Sequence, residues 1–153
     1  MKISIQGNVP KAFGLRKAEL KDAASFFASA SARRAKMRFH EVTVFLGNDA
    51  HSDEMHRAIM GIEGATDVIT QAYDAIPPEE SGIYGELFVN TDQAARVAST
   101  RGGWSVAKEL LLYVAHGMDH LSGADDHGEK DYLAMRRREL KWIREWLAGK
   151  GEK

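Results

Sequence analysis

The hydrophobic residues of this chain change repeatedly between a two-residue and a helical period, which predicts strands and helices that follow one another along the sequence. Ile3 and Ile5, for example, alternate with polar neighbours, as in a short strand. The pattern predicts strands at 2–6, 41–47, 67–70 and 83–89, and helices within 16–32, at 51–60, from 91 to the glycines at 102–103, at 105–121 and at 129–148. A loop rich in turn-forming residues is predicted from 75 to 82.

The helix predicted at 105–121 should lie in the middle of the fold, because its segment 110–115, LLLYVA, is apolar on every side. The last helix should turn most of its basic residues outward, including the run 136–138, and four hydrophobic residues inward: Leu133, Leu140, Ile143 and Leu147. Strands mixed with helices in this order indicate a layered α/β or α+β architecture. We expect an α+β fold.

The composition limits the class of protein. A length of 153 residues suits one compact domain, which we expect to span residues 1–153. Since there is no cysteine, disulfides and thiolate metal sites are excluded. The formal charge of −1 does not by itself indicate nucleic-acid binding, and no DNA partner is expected. The sequence shows no secretory leader and no membrane-spanning run, so we expect a cytoplasmic protein with no membrane partner.

Residues 116–127, HGMDHLSGADDH, carry the candidate chemistry. His116 and His120 are four residues apart, so on a helix they project from one face in adjacent turns, where two imidazoles can reach one ion. Gly123 falls where the helix must end, because glycine adopts the left-handed conformation without steric cost. The reversal returns the chain toward the histidines, as in a metzincin-like metal-binding helix. The sequence therefore predicts one divalent metal ion, zinc, with nickel or cobalt as substitutes.

The third ligand is either Asp126 or His127: spacing favours Asp126, and ligand type favours His127. Metzincin proteases use a glutamate after the first histidine as general base, and this position is Gly117, which argues against peptide hydrolysis by that mechanism. Asp119 is a candidate substitute base, although a hydrogen bond at the helix surface is the simpler expectation.

The same segment resembles the YbeY family of metal-dependent endoribonucleases and ribosomal-RNA maturation factors, whose motif reads HGxLHLxGYDH. Residues 66–70, TDVIT, are similar to the TDVLSF strand of that family, and residues 85–87, GEL, to its GDI strand. Glu109 and Leu110 open the motif helix as in the family's EL-x5-HG. The resemblance covers roughly residues 40–128, and within the motif Asp119 and Ala124 depart from the family's leucine and tyrosine.

The resemblance implies a single domain with a small four-stranded mixed sheet, about five helices and a metal at one end of the sheet. The family's ligands fall on His116, His120 and Asp126, or on His127 in third place if the loop carries a one-residue insertion. The family usually has an arginine, held to be important for RNA cleavage, at the position of Met60. Arg57, almost on the opposite side of the same predicted helix, is the nearest substitute.

The function that the resemblance implies is a zinc-dependent endoribonuclease that cleaves single-stranded RNA in ribosomal-RNA processing and ribosome maturation. The catalytic candidates are His116 and Arg57, and the implied partners are single-stranded or ribosomal RNA and the small ribosomal subunit. Arg57, Arg96 and Arg101 are candidates for phosphate contacts, although each by itself is more simply a solvated charge. The alternative is a ribosome-associated maturation factor with a mainly structural metal and little or no nuclease activity, an interpretation that Met60 favours.

Several large side chains are assigned to the core rather than to a ligand. Trp142 and Trp146, four apart on the last helix, could stack on bases but are expected in the core or against a partner. Met55, Met60 and Met118 are expected to fill gaps in the core.

Overall fold

The centre of the molecule is a four-stranded mixed sheet, seen in a computed structural model that describes residues 1–74 and 82–151. Its strands are β1 (Lys2–Gln6), β2 (Phe39–Gly47), β3 (Val68–Asp74) and β4 (Ile83–Asn90), in the spatial order β1-β2-β4-β3. β1, β2 and β4 are parallel, and β3 pairs antiparallel with β4. The sheet confirms the predicted four strands, although β3 extends beyond the predicted 67–70. Apart from Gly82, the predicted loop lies outside the described residues.

In the described residues, five α-helices surround the sheet: α1 (Lys17–Ala35), α2 (Asp49–Met60), α3 (Thr91–Ser99), α4 (Val106–Leu121) and α5 (Glu129–Gly151). Side-chain caps explain two of the starts. The side chain of Asn90 accepts hydrogen bonds from two backbone N–H groups of α3, and that of Ser105 accepts one from α4. The α+β fold class is thereby confirmed. None of these helices is long and apolar enough to cross a bilayer.

Two glycines let α4 approach the sheet closely. A Cβ at position 117 would lie 2.7 Å from Cδ2 of Leu87, and a Cβ at position 85 would lie 2.6 Å from Cδ1 of Leu121. Both leucines are buried, so neither contact could be relieved without repacking the core. Gly117 and Gly85 therefore fix the distance between α4 and β4, and the predicted burial of segment 110–115 is confirmed.

The predicted inward face of α5 is confirmed for Ile143, which is buried, and for Leu140 and Leu147, which pack against the core. Leu133 is 48% exposed, and the other deeply buried positions are Met135, Glu139, Trp142 and Trp146. Met135, Glu139, Trp142 and Trp146 follow one another at steps of three and four, and Leu133 is about 200° away from Met135 around the helix. The prediction for Leu133 was therefore wrong.

The expectation for the two tryptophans is confirmed, since both are in the core. Nε1 of Trp146 donates a 2.8 Å hydrogen bond to Asp22, which joins α5 to α1. Met118 is fully buried as expected, whereas Met60 is 56% exposed at the end of α2, where no described element covers it.

Candidate metal centre

Three side chains bring ligand atoms together at the C-terminal end of α4. His116, His120 and Asp126 each offer one atom to a group in which all atoms lie within 4.8 Å of one another. The two histidine Nε2 atoms are 3.0 Å apart, and Oδ2 of Asp126 lies 3.7 Å from Nε2 of His120. The helix supplies the histidines at positions i and i+4, and Gly123, at φ 93°, turns the chain back to bring in the carboxylate.

Hydrogen bonds outside this group fix the orientation of both imidazoles. Nδ1 of His120 lies 3.1 Å from the carbonyl oxygen of Ala124, and because a carbonyl only accepts, that nitrogen carries the proton. Nδ1 of His116 lies 2.8 Å from Oε2 of Glu139, which holds the ring in the same way. Both rings therefore direct the lone pair of Nε2 into the same space.

Two lone pairs at this distance repel each other unless a proton or a metal ion lies between them. Two imidazoles and a carboxylate form a ligand set that suits zinc, and three protein ligands leave a coordination position open. The donor atoms present therefore fit a divalent metal. A site held by histidine is also sensitive to acid, because protons compete with the metal for the same nitrogens.

Glu139 is the residue that the sequence analysis missed. Its side chain is completely buried, and Oε1 lies 3.7 Å from Nε of Arg136. Burial lowers the pKa of His116, but the hydrogen bond and the negative charge of Glu139 outweigh it, so the net shift of that pKa is upward. The available signal was an acidic residue on the otherwise apolar face of α5, where a charge needs a partner.

His127, the other candidate for the third ligand, lies outside the group of ligand atoms. Its side chain is 88% exposed, and Nε2 is 3.1 Å from a carboxylate oxygen of Asp125. The backbone thus turns Asp126 toward the histidines and its two neighbours toward solvent.

Asp119 occupies a different place from the one expected. It is completely buried, and its carboxylate receives Nε and Nη2 of Arg138 at 2.9–3.2 Å, with Nε of Arg34 at 3.5 Å. The expected surface hydrogen bond was wrong, because this face of α4 is covered by α1 and α5. The outward orientation expected for the run 136–138 holds for Arg137 alone, which is exposed, while Arg136 and Arg138 are three-quarters buried.

The predicted phosphate-binding arginines each have an acidic partner. Arg57 pairs with Asp53 at 2.7 Å, one turn away on α2. The guanidinium of Arg96 binds both carboxylate oxygens of Asp49, at 2.6 and 2.7 Å. These are therefore ion pairs rather than free surface charges. Arg101 likewise pairs with the buried Glu109, at 3.2 Å.

Fold and site together define a class: a small α+β protein with a candidate metal centre of two histidines and a carboxylate at the end of its central helix. A family model described as Endoribonuclease YbeY matches residues 8–147, and the chain belongs to the YbeY family. That family is one of endoribonucleases, so membership indicates a hydrolase of the nuclease class.

Sequence relatives agree with this membership. The Endoribonuclease YbeY of Thermus thermophilus is 35% identical over 97 residues, which cover 63% of this chain and 69% of that protein. The Endoribonuclease YbeY of Pelotomaculum thermopropionicum is 32% identical over 103 residues, which cover 65% of this chain and 67% of its own. The solution structure of a Thermotoga maritima protein superposes with a TM-score of 0.62, covering 99% of this chain and 93% of that protein. Since the sequence identity is 20%, this similarity supports the fold alone.

Proposed function

We propose that this protein is a zinc-dependent endoribonuclease that hydrolyses phosphodiester bonds of single-stranded ribosomal RNA during ribosome maturation, with His116, His120 and Asp126 as metal ligands. The observation that carries the proposal is the convergence of two Nε2 lone pairs and a carboxylate oxygen on one space. Relatives named endoribonucleases support the choice of RNA. Cytoplasmic location and association with the small ribosomal subunit belong to the same proposal.

When bound, a divalent metal acidifies water and polarises a phosphoryl oxygen. The residues of the chain contribute positioning. Glu139 and the carbonyl of Ala124 hold the two imidazoles, and Asp126, whose side chain is 39% exposed, keeps the ligand group open to solvent on one side. Neither Gly117 nor the paired Asp119 can act as a general base at this group, so the metal ligands carry the chemistry.

Arg57 is proposed as the guanidinium that assists phosphate binding. Its side chain is 57% exposed and could reach a phosphate only by weakening its ion pair with Asp53. We therefore assign it a secondary role, which a several-fold rise of KM in Arg57→Gln would support.

The second candidate function is a ribosome-associated maturation factor with a structural metal and little or no cleavage. Two observations favour it. Met60 stands exposed where the family carries an arginine, and the nearest arginine is engaged by Asp53.

The test is cleavage of a ribosomal-RNA fragment by zinc-loaded wild type, His116→Ala and His127→Ala, purified in parallel. We expect wild type and His127→Ala to cleave and His116→Ala to be inactive. Equal cleavage by wild type and His116→Ala would indicate a contaminant, and no cleavage by any of them would favour the maturation-factor function. Nickel and cobalt loading of wild type would then show which ions support activity.

A further inference from the structure

A groove of about 410 Å³ lies beside α4, between the loop that follows α3 and the first half of α5. Its walls include Arg101 and Trp104 on the loop side, Tyr132 and Arg136 on α5, and Leu112 on α4. Among the described residues that line it there are two arginines and no acidic side chain. The groove thus places two guanidinium groups beside two aromatic rings, and each guanidinium has a buried carboxylate partner, Glu109 for Arg101 and Glu139 for Arg136.

A buried carboxylate fixes the side chains on the loop side of the groove. Oε1 of Glu109, which is buried, accepts hydrogen bonds from Nε1 of Trp104 at 2.7 Å and from Nη1 of Arg101 at 3.2 Å. One carboxylate therefore fixes an indole and a guanidinium next to each other. Nζ of Lys108, which does not itself line the groove, lies 5.6 Å from the centre of the Trp104 ring.

The α5 side of the groove also places a guanidinium next to an aromatic ring. Tyr132 is 41% exposed, and the guanidinium of Arg136 lies 5.4 Å from the centre of its ring. An exposed ring beside a guanidinium is the arrangement by which proteins stack bases and contact the neighbouring phosphate.

Two relationships place the groove near the candidate metal centre. Leu112, in its floor, is four residues before His116 and lies on the same face of α4, about 6 Å along the axis. Arg136 lies 3.7 Å from Glu139, whose other oxygen is bonded to His116. The groove and the candidate metal centre are therefore neighbours along α4.

We propose that this groove binds one nucleotide of single-stranded RNA next to the bond that is cut, with the base against Tyr132 and Trp104 and its phosphate near Arg101 and Arg136. This inference rests on the proposed function. Stacking requires an unpaired base, so the groove would also select single-stranded over double-stranded RNA.

The test is binding of a fluorescein-labelled single-stranded RNA, followed by anisotropy and compared with the same RNA as a duplex. We expect Tyr132→Leu to weaken single-strand binding about tenfold and Tyr132→Phe to leave it unchanged, because one stacked base contributes roughly 1–3 kcal/mol. Arg136→Gln should weaken binding, whereas Arg137→Gln, which removes the same charge from the exposed face of α5, should not. Thermal melts would verify that each variant folds; Tyr132 is exposed, so its variants do not depend on the core.

The outcomes separate this inference from the nuclease proposal. If cleavage depends on His116 but RNA binding is unchanged in Tyr132→Leu and Arg136→Gln, the proposed role of the groove is wrong and the nuclease proposal stands. Binding that depends on the groove without any cleavage would support the groove and overturn the nuclease. A protein that neither binds nor cleaves RNA would overturn both. A change in sedimentation of Tyr132→Leu, without a change in RNA binding, would assign the groove to contact with a second copy of the chain.

Discussion

The carboxylate of Glu139 lies 2.8 Å from Nδ1 of His116, although the two residues belong to different helices and are 23 positions apart. This contact links the buried face of α5 to the candidate metal centre. It fixes both the rotation of the imidazole and the nitrogen that is left free for a metal.

Glu139→Gln should lower zinc affinity by about tenfold, within the range of 10–100-fold seen when such outer partners are changed. Glutamine can still accept the Nδ1 proton but removes the negative charge that makes the ring a stronger ligand. Competition with a chromogenic chelator at neutral pH would measure the affinity. Glu145→Gln, which changes a half-exposed side chain of the same helix, is the control, and equal affinities of both variants would contradict the assignment.

The third ligand can be decided by three neighbouring substitutions. Asp126→Asn should reduce zinc affinity strongly, because the carboxylate is one of the three proposed protein ligands. Asp125→Asn and His127→Ala should have little effect, since these two side chains bond to each other and are exposed. The same chelator competition measures all three, and a large loss in His127→Ala with none in Asp126→Asn would reverse the assignment.

Asp119 should matter for stability rather than for metal binding. Asp119→Asn leaves Arg138 and Arg34 without their shared buried counter-charge, which should lower the free energy of unfolding by about 3 kcal/mol. Urea denaturation of the metal-free protein measures this. Zinc affinity should stay within a few-fold of wild type, and a selective loss of cleavage in a stably folded variant would instead restore Asp119 as a base.

An acid-dependent contribution is expected from Asp49. Hydrogen bonds from Arg96 and then Asn90 lower the pKa of Asp49 from 3.8 to about 2. A carboxyl group whose pKa is lower in the folded state stabilises the protein above pH 3.8 and loses that contribution as the pH falls toward 2.

Asp49→Asn should therefore destabilise the protein by about 1 kcal/mol or less at neutral pH, as for other exposed ion pairs. The difference from wild type should shrink below pH 3.8. Urea titrations at several pH values measure it, with Glu54→Gln on the exposed face of α2 as control. A difference that grows on acidification would show that the ion pair does not form.

The candidate site divides into a part that the sequence predicts and a part that it does not. His116, His120 and Asp126 lie within one helix end and its turn, where spacing and a glycine determine geometry. Glu139 comes from a contact between distant segments, and periodicity shows only that a polar residue occupies an apolar face.

The same limit explains the errors in the fold. Leu133 is hydrophobic, but Met135, Trp142 and Trp146 occupy the core and determine which face of α5 is buried. Leu133 lies outside that face. Asp119 was placed at the surface because α1 and α5, which cover it, cannot be located from the sequence. The sequence shows only that Gly117 cannot act as a general base. The structure shows that a larger residue there would clash with the side chain of Leu87.

All three candidate ligands come from residues 116–126, so a bound ion closes only a short loop, and fixing such a loop costs the unfolded chain little entropy. The distant parts of the molecule are joined by other contacts, among them the hydrogen bond of Trp146 to Asp22. Chelation is therefore expected to leave a folded protein in which hydrogen exchange accelerates only near the end of α4. On the proposed function, the metal centre should therefore empty and refill while the rest of the chain stays in place.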